Sequence, residues 1–351
     1  MTMNSFGDSI TQGTSSSGTV YTSRLATLLG TTLNNYGVSG NRATDQSNVV
    51  RSATHGNLST VLIGTNDSSV YGDASQKLLI YKRLVRSIVA VASGYSLVKG
   101  ANTSKTSSWA VSSSVGGSAY GNYSTGAATA SATVYGKSII IGYTQTTDAS
   151  FDSTVTIKVD GTVIDTVTFT GSTDSVTGLS ATSGVGALRY TGFTDASHTV
   201  EISVASGKSF ALEYIMGVGH QPFKDPILLL NIPKKGSYSS PDSSTCNTSY
   251  CTVLSDLVDE FKSDGFNIGL VDINSILVPS TDLYDSLHPN DTGNTKIANA
   301  CYDKLCSMPE VVTGTCPTPY GYPASGNQVL TGKTVTLAHN GSGGYTSITI
   351  S

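Results

Sequence analysis

Met3-Asn4-Ser5-Phe6-Gly7-Asp8-Ser9-Ile10-Thr11 is the stretch on which the fold turns. Met3 to Phe6 reads as a short strand, and Asp8-Ser9 follow directly at its end. The same arrangement recurs twice downstream. A strand candidate at Leu33 to Tyr36 runs into Asn35-Tyr36-Gly37-Val38-Ser39-Gly40, and one at Thr60 to Ile63 runs into Gly64-Thr65-Asn66-Asp67. Between them Tyr21 to Leu29 and Arg42 to Arg51 read as helices. A stronger helix spans Ala74 to about Ala92. Its Leu78, Tyr81, Val85, Ile88 and Ala92 recur at spacings of three and four and share one face. Asp73 is the expected N-cap, with Gln76 three residues on. Strands alternating with helices imply a parallel sheet covered on both faces.

Near residue 95 the pattern changes. Helical periodicity disappears up to about residue 220, and Ser, Thr and Gly dominate. Val155, Ile157 and Val159 alternate with polar residues, Asp160-Gly161 is a hairpin signal, and Val163, Val167 and Phe169 continue beyond it. Val200, Ile202 and Val204 repeat the alternation. This argues for an inserted all-β sandwich or jelly roll. It is expected to fold as a separate unit that leaves and re-enters the chain at nearly one point. The α/β pattern resumes at Pro226 with the apolar run Ile227 to Ile232, a helix at Val253 to Phe261, a strand at Ile268 to Ile273 and a last helix at Asp291 to Cys306. The expected organisation is therefore 1–95 and 223–310 as one α/β domain, 96–222 as the β insertion and 311–351 as a terminal β element.

Composition narrows the function. Of 351 residues 13% are charged, half the ~25% usual for soluble domains. The net charge of −4 leaves no basic field to hold nucleic acid. No apolar run reaches the ~20 residues of a membrane span. The N-terminus carries neither the basic nor the apolar part of a signal peptide. A weakly charged chain rich in Ser, Thr and Gly nonetheless reads as extracellular or virion-associated. Cys246, Cys251, Cys301, Cys306 and Cys316 all lie in the last third. Pairings 246–251 and 306–316 would leave Cys301 free; other pairings, or free thiols, stay open. With no His at ligand spacing near these cysteines and no acidic cluster of EF-hand spacing, neither a metal nor a cofactor is expected.

A fourth block, Asp285-Ser286-Leu287-His288-Pro289, precedes the last helix. All four blocks fall where parallel strands end, and those ends share one edge of a sheet, where such folds bind ligands. Acyl transfer is the chemistry they allow. Ser9 is the candidate nucleophile, His288 the base that takes its proton, and Asp285 the acceptor for the other ring nitrogen. The Ser9 and Gly40 backbone N–H groups and the Asn66 amide are suited to stabilise an oxyanion. Asp8 and Asp67 read as loop-holding residues. Weak candidates for substrate binding are Trp109, whose ring suits a sugar face, and His220, which lies just before a central strand.

Together these residues resemble the SGNH, or GDSL, hydrolase superfamily. The resemblance covers roughly residues 3–92 and 226–307, with Ile10 where the family name has Leu. It implies a three-layer, flavodoxin-like α/β/α sandwich. It also implies a serine esterase whose name-giving residues fall on Ser9, Gly40, Asn66 and His288, with Asp285 completing a triad. The expected substrate is an O-acyl, above all O-acetyl, ester on a carbohydrate or polysaccharide. A short-chain lipase or general esterase, or a non-catalytic glycan-binding protein of the phage-tail type, are the alternatives. Asn66 lies in an Asn-x-Ser sequon. A glycan there would block the oxyanion site, which favours a source that does not glycosylate this chain.

Overall fold

The computed structural model describes residues 1–14, 18–106, 108–110, 122–124, 127–146, 151–169, 183–205, 209–219, 225–236 and 243–308, and the backbone of a three-stranded antiparallel sheet at Asn327–Leu330, Lys333–His339 and Tyr345–Ile350. Strands β1 (Thr2–Gly7), β2 (Thr32–Asn35) and β3 (Leu58–Leu62) alternate with helices α1 (Ser9–Gln12), α2 (Tyr21–Leu29), α3 (Ala43–Ser52), α4 (Thr65–Tyr71) and α5 (Ser75–Ala92). The main inserted strands are β4 (Ala128–Thr146), β5 (Ser153–Val159), β6 (Thr162–Phe169), β7 (Ser183–Val204) and β8 (Phe210–Val218). The alternation then resumes with β9 (Ile227–Leu230), α6 (Ser243–Ser263), β10 (Ile268–Val271) and α7 (Asp291–Ser307).

The five α/β strands form one parallel sheet in the order β10-β9-β3-β1-β2. Side chains alternate between its two faces with period two. Ile227 and Leu229 pack with Phe6, Val61 and Ile268 against α3, α5 and α6. Leu228 and Leu230 pack with Met3, Leu58, Leu62 and Val271 against α2 and α7. The result is a three-layer α/β/α sandwich.

The inserted strands form an antiparallel sheet ordered β6-β5-β7-β4-β8, continued by two short strands at Asn122–Ser124 and Trp109–Ala110. Asp160 (φ 51°) and Gly161 (φ 80°) make the hairpin turn between β5 and β6. The register of β7 on β4 shifts between Thr191 and Ala196, opposite Gly136 and Ser138. Across that irregularity the face changes parity: Ala130 and Val134, then Ile139, Ile141 and Tyr143, all enter one apolar cluster. Both halves of the long strand thus contribute to the same core despite the irregularity.

The insertion is not free-standing. Ile140, Val185, Ala187, Tyr214, Met216 and Val218 share a core with α3, α5 and α6. Ser47 Oγ accepts from Val185 N at 2.8 Å, and Asn48 Nδ2 donates to Ser183 O at 2.8 Å. Arg51 and Glu213 form an ion pair at 2.9 Å with both side chains buried. Helix α5 thus lies between two sheets. Beyond the face read from its periodicity it buries Ile80, Leu84, Arg86, Ser87 and Val89, as expected of a helix covered on both sides. Val98–Lys99 pairs with Tyr214 and Ile215 of β8, so the chain enters the insertion beside the strand by which it leaves.

Two local expectations are corrected. Ala74, not Asp73, is the N-cap of α5, and no side chain caps it. The Cys246–Cys251 bridge is not formed, and Cys251 is a free thiol. Both residues lie on α6. Five residues of helix rise about 7.5 Å, beyond the ~7 Å Cα separation a disulfide tolerates. Cys301 is free and buried, while Cys306 is disulfide-bonded.

Candidate active site

Ser9 is the first residue of α1, at the C-terminal end of β1. Asp8 caps that turn, its Oδ1 accepting from Ile10 N at 3.0 Å. Gly7 lets the turn sit tightly on β3: a Cβ there would lie 2.4 Å from Leu62 O and 2.2 Å from Thr11 Oγ1. The β1–α1 turn thus presents Ser9 at the sheet edge with its neighbours locked.

The chain returns to that edge before α7. Tyr284 N donates to His288 O at 2.7 Å, closing a short loop. Inside it Asp285 Oδ1 accepts from the backbone N–H groups of Leu287 (2.8 Å) and His288 (2.6 Å). The other carboxylate oxygen lies 2.8 Å from His288 Nδ1, and His288 Nε2 lies 2.9 Å from Ser9 Oγ. Partial burial pushes the Asp285 carboxyl up. The hydrogen bonds from the His288 backbone and ring and from Leu287 N outweigh this and hold it below the ordinary carboxylate range. Asp285 is thereby kept as the anion that orients a ring N–H and stabilises an imidazolium.

Two more loops reach the same edge. Tyr36 N and Val38 N donate to Ser5 O (2.8 Å) and Gly7 O (3.1 Å), which carries the second loop past the end of β1. Gly40 turns there with φ +81°, a left-handed conformation that suits glycine. Among the described residues neither Ser9 N nor Gly40 N has a protein acceptor. Asn66, in the first turn of α4, donates one amide hydrogen to Asn41 O at 2.9 Å. That bond fixes the amide plane and leaves its second hydrogen for a ligand.

The structure therefore brings Ser9, His288 and Asp285 into one hydrogen-bonded run and joins the Gly40 loop to Asn66. Trp109 lies elsewhere, half-buried against the apolar cluster of the insertion. His220 falls outside the described residues. Residue type alone did not single out Gln12 and Gln46. Gln12 Oε1 accepts from Ser39 N at 2.7 Å, and Gln46 Nε2 donates to Gly7 O (2.7 Å) and Tyr36 O (3.1 Å), so both pin the second loop. Glutamine in a helix or a turn carries no sequence signal for such a role.

Asp8 and Asp67 are completely buried beneath these loops. Desolvation raises Asp8 to about 6, opposed by its hydrogen bonds and by the nearby His288, and raises Asp67 to about 7, where the Asp8 carboxyl adds to the rise and the Ala43 N–H and Arg42 oppose it. A carboxyl whose folded pKa is raised contributes stability that is complete below its unfolded value and lost as pH rises through the folded value. Asp8→Asn removes one such loss. Its stability relative to wild type is expected to rise by about 2–3 kcal/mol between pH 4 and pH 8, measured by urea unfolding at each pH. A difference that stays constant over that range would contradict the assignment.

Residues 5–137 match the model of the GDSL-like Lipase/Acylhydrolase family. The matched segment takes in β1 to α5 and the first strands of the additional antiparallel sheet. No curated protein matches the sequence. Among solved structures, an acetylxylan esterase from Geobacillus stearothermophilus is 14% identical, with 89% of this chain and 97% of that chain covered at a TM-score of 0.41. A two-domain esterase active on acetylated mannans is 12% identical over 62% of this chain and 90% of that chain, at a TM-score of 0.35. A family 35 carbohydrate binding module from Clostridium thermocellum is 9% identical over 34% of this chain and 94% of that chain, at a TM-score of 0.27.

Proposed function

We propose that this chain is a serine esterase that removes short O-acyl groups, above all O-acetyl, from a carbohydrate or polysaccharide. The observation that carries the hydrolytic part is the run from Ser9 Oγ through His288 to Asp285, with bonds of 2.9 and 2.8 Å. In the proposed reaction His288 Nε2 takes the Ser9 proton as Oγ attacks the ester carbonyl. The oxyanion is held by Ser9 N, Gly40 N and the second Asn66 hydrogen. The intermediate collapses, the C–O bond to the alcohol breaks, and His288 returns its proton to that oxygen. Water then attacks the acyl-Ser9 ester by the same route, releasing the acid.

Openness supports a large alcohol part. The Asp285 side chain is 42% exposed, and Tyr284 beside it is 64% exposed. An acyl group projecting from a polymer can reach such a site, and an exposed aromatic ring suits the C–H face of a pyranose. The weakly charged composition supports an extracellular or virion-associated setting. A general short-chain esterase is the second reading. Exposed Val38 near Gly40, and exposed Val70 one helical turn from Asn66, favour it. Acetate release from a panel of acetylated glycans, compared with turnover of long-chain esters, separates the two. The proposal expects acetylated glycans to have the higher kcat/KM, and preference for long-chain esters would refute it. Turnover of neither, nor of p-nitrophenyl acetate, would leave a non-catalytic glycan-binding protein.

Asn66→Ala is expected to lower kcat on p-nitrophenyl acetate by about 10²–10³ with a much smaller change in KM. A rise in KM at unchanged kcat would make Asn66 a substrate-positioning residue instead.

A further inference from the structure

The Gly40 loop has little apolar anchorage. Val38, Ser39 and Gly40 are exposed, Asn41 and Arg42 are half-buried, and nothing lies within 4 Å of where a Gly40 Cβ would be. Its position therefore depends on polar attachments. Two consecutive side chains of α4 supply a pair of them. Asn66 holds the loop at Asn41 O, and Asp67 holds it two loop residues further on, at Ala43 N, with Oδ1 at 3.2 Å and Oδ2 at 3.1 Å. Ala43 begins α3 and is itself fully buried, so this attachment is the point where the exposed part of the loop meets the core.

Asp67 is an expensive residue to keep there. Its carboxyl is buried and forms no ion pair among the described residues. The charged and titratable groups around it are Asp8, Arg42, Tyr71 and Tyr81. Burying an acid without a salt bridge is costly, and here its hydrogen-bond capacity is directed at the main chain that follows the oxyanion loop.

We infer that Asp67 is a positioning residue for the oxyanion hole, clamping Ala43 N so that the Gly40 N–H and the Asn66 amide stay aligned on the carbonyl attacked by Ser9. This rests on the esterase reading above. Displacement of an oxyanion donor by about 1 Å costs on the order of 10²-fold in rate without weakening ground-state binding to the same degree.

The test is steady-state hydrolysis of p-nitrophenyl acetate by Asp67→Ala and Asp67→Asn, with thermal unfolding of each. Asp67→Ala is expected to lose about 10²-fold in kcat with KM changed by less than about threefold. Asp67→Asn keeps an acceptor oxygen for Ala43 N and is expected to recover most of that loss. In the Asn66→Ala background, Asp67→Ala is expected to add little, because both act on one loop. A folded Asp67→Ala enzyme with kcat within about threefold of wild type overturns the inference. So does a loss that asparagine does not relieve. If alanine prevents folding, Asp67→Leu fills the space without an acceptor, and failure of both to fold would make Asp67 a residue of stability and overturn its positioning role. A wild-type chain that hydrolyses no ester overturns the esterase reading first, a result distinguishable from an active wild type with an equally active Asp67→Ala.

Discussion

Ser9→Ala is expected to abolish ester hydrolysis, with kcat falling by on the order of 10⁴–10⁶. The only hydroxyl within hydrogen-bond distance of His288 Nε2 among the described residues is Ser9 Oγ, at 2.9 Å. Removing it leaves His288 nothing to activate except water. The fold should be untouched. Ser9 makes its structural contribution through the backbone, where Ser9 O accepts from Gly13 N and Thr14 N. Asp8, not Ser9, caps the turn. The unfolding temperature should therefore match wild type while activity on p-nitrophenyl acetate disappears. Turnover within tenfold of wild type would sink the mechanism.

The largest effect on stability is expected from Glu213→Ala. Arg51 on α3 and Glu213 on β8 pair at 2.9 Å with side chains 1% and 0% exposed. Thr144 Oγ1 donates to the other Glu213 oxygen at 2.6 Å, and Arg51 also donates to Asn48 Oδ1. Deleting one partner of a buried pair strands the other's charge away from water, which costs about 3–5 kcal/mol. A fall in Tm on the order of 10 °C follows. Replacing both, as Arg51→Met with Glu213→Leu, should restore much of that stability, since the cost lies in the unpaired charge. A Glu213→Ala variant that melts with wild type would show that the inserted sheet is not bound to the α/β core through this pair. Helix α3 runs from the oxyanion loop to Arg51, so the same variant should also lose activity at temperatures where wild type is stable.

The pieces legible in the sequence are those whose signal is local. The blocks around Ser9, Gly40 and Asn66 could be placed at strand ends because the short strands Thr2–Gly7, Thr32–Asn35 and Leu58–Leu62 run directly into Gly-, Asp-, Ser- and Asn-containing turns. The Asp160-Gly161 hairpin was legible because both its residues tolerate positive φ. What stayed hidden depends on non-local packing. Helix α5 shows one apolar stripe, yet its second side is covered by a sheet that begins after the helix ends, and the buried Arg86 there reaches Glu260 and Ala187 O. Strands β4 and β7 are 19 and 22 residues long. Their Ser, Thr and Gly content broke the apolar alternation into pieces that read as several short strands. Asp67 could be read as a loop-holding acid, but that it holds Ala43 N depends on the approach of α3 to α4, which no local pattern encodes.

The central claim is that hydrolysis passes through an ester on Ser9. Rapid acid quench of the enzyme during turnover of an acetyl ester, followed by peptide mass spectrometry, tests this most directly. The account predicts an acetyl group on the peptide containing Ser9 at that residue, trapped more fully in an Asp285→Ala or His288→Ala background only if acylation still proceeds there, and absent from Ser9→Ala. Turnover with no acyl group on Ser9, or with the label on another residue, would contradict it.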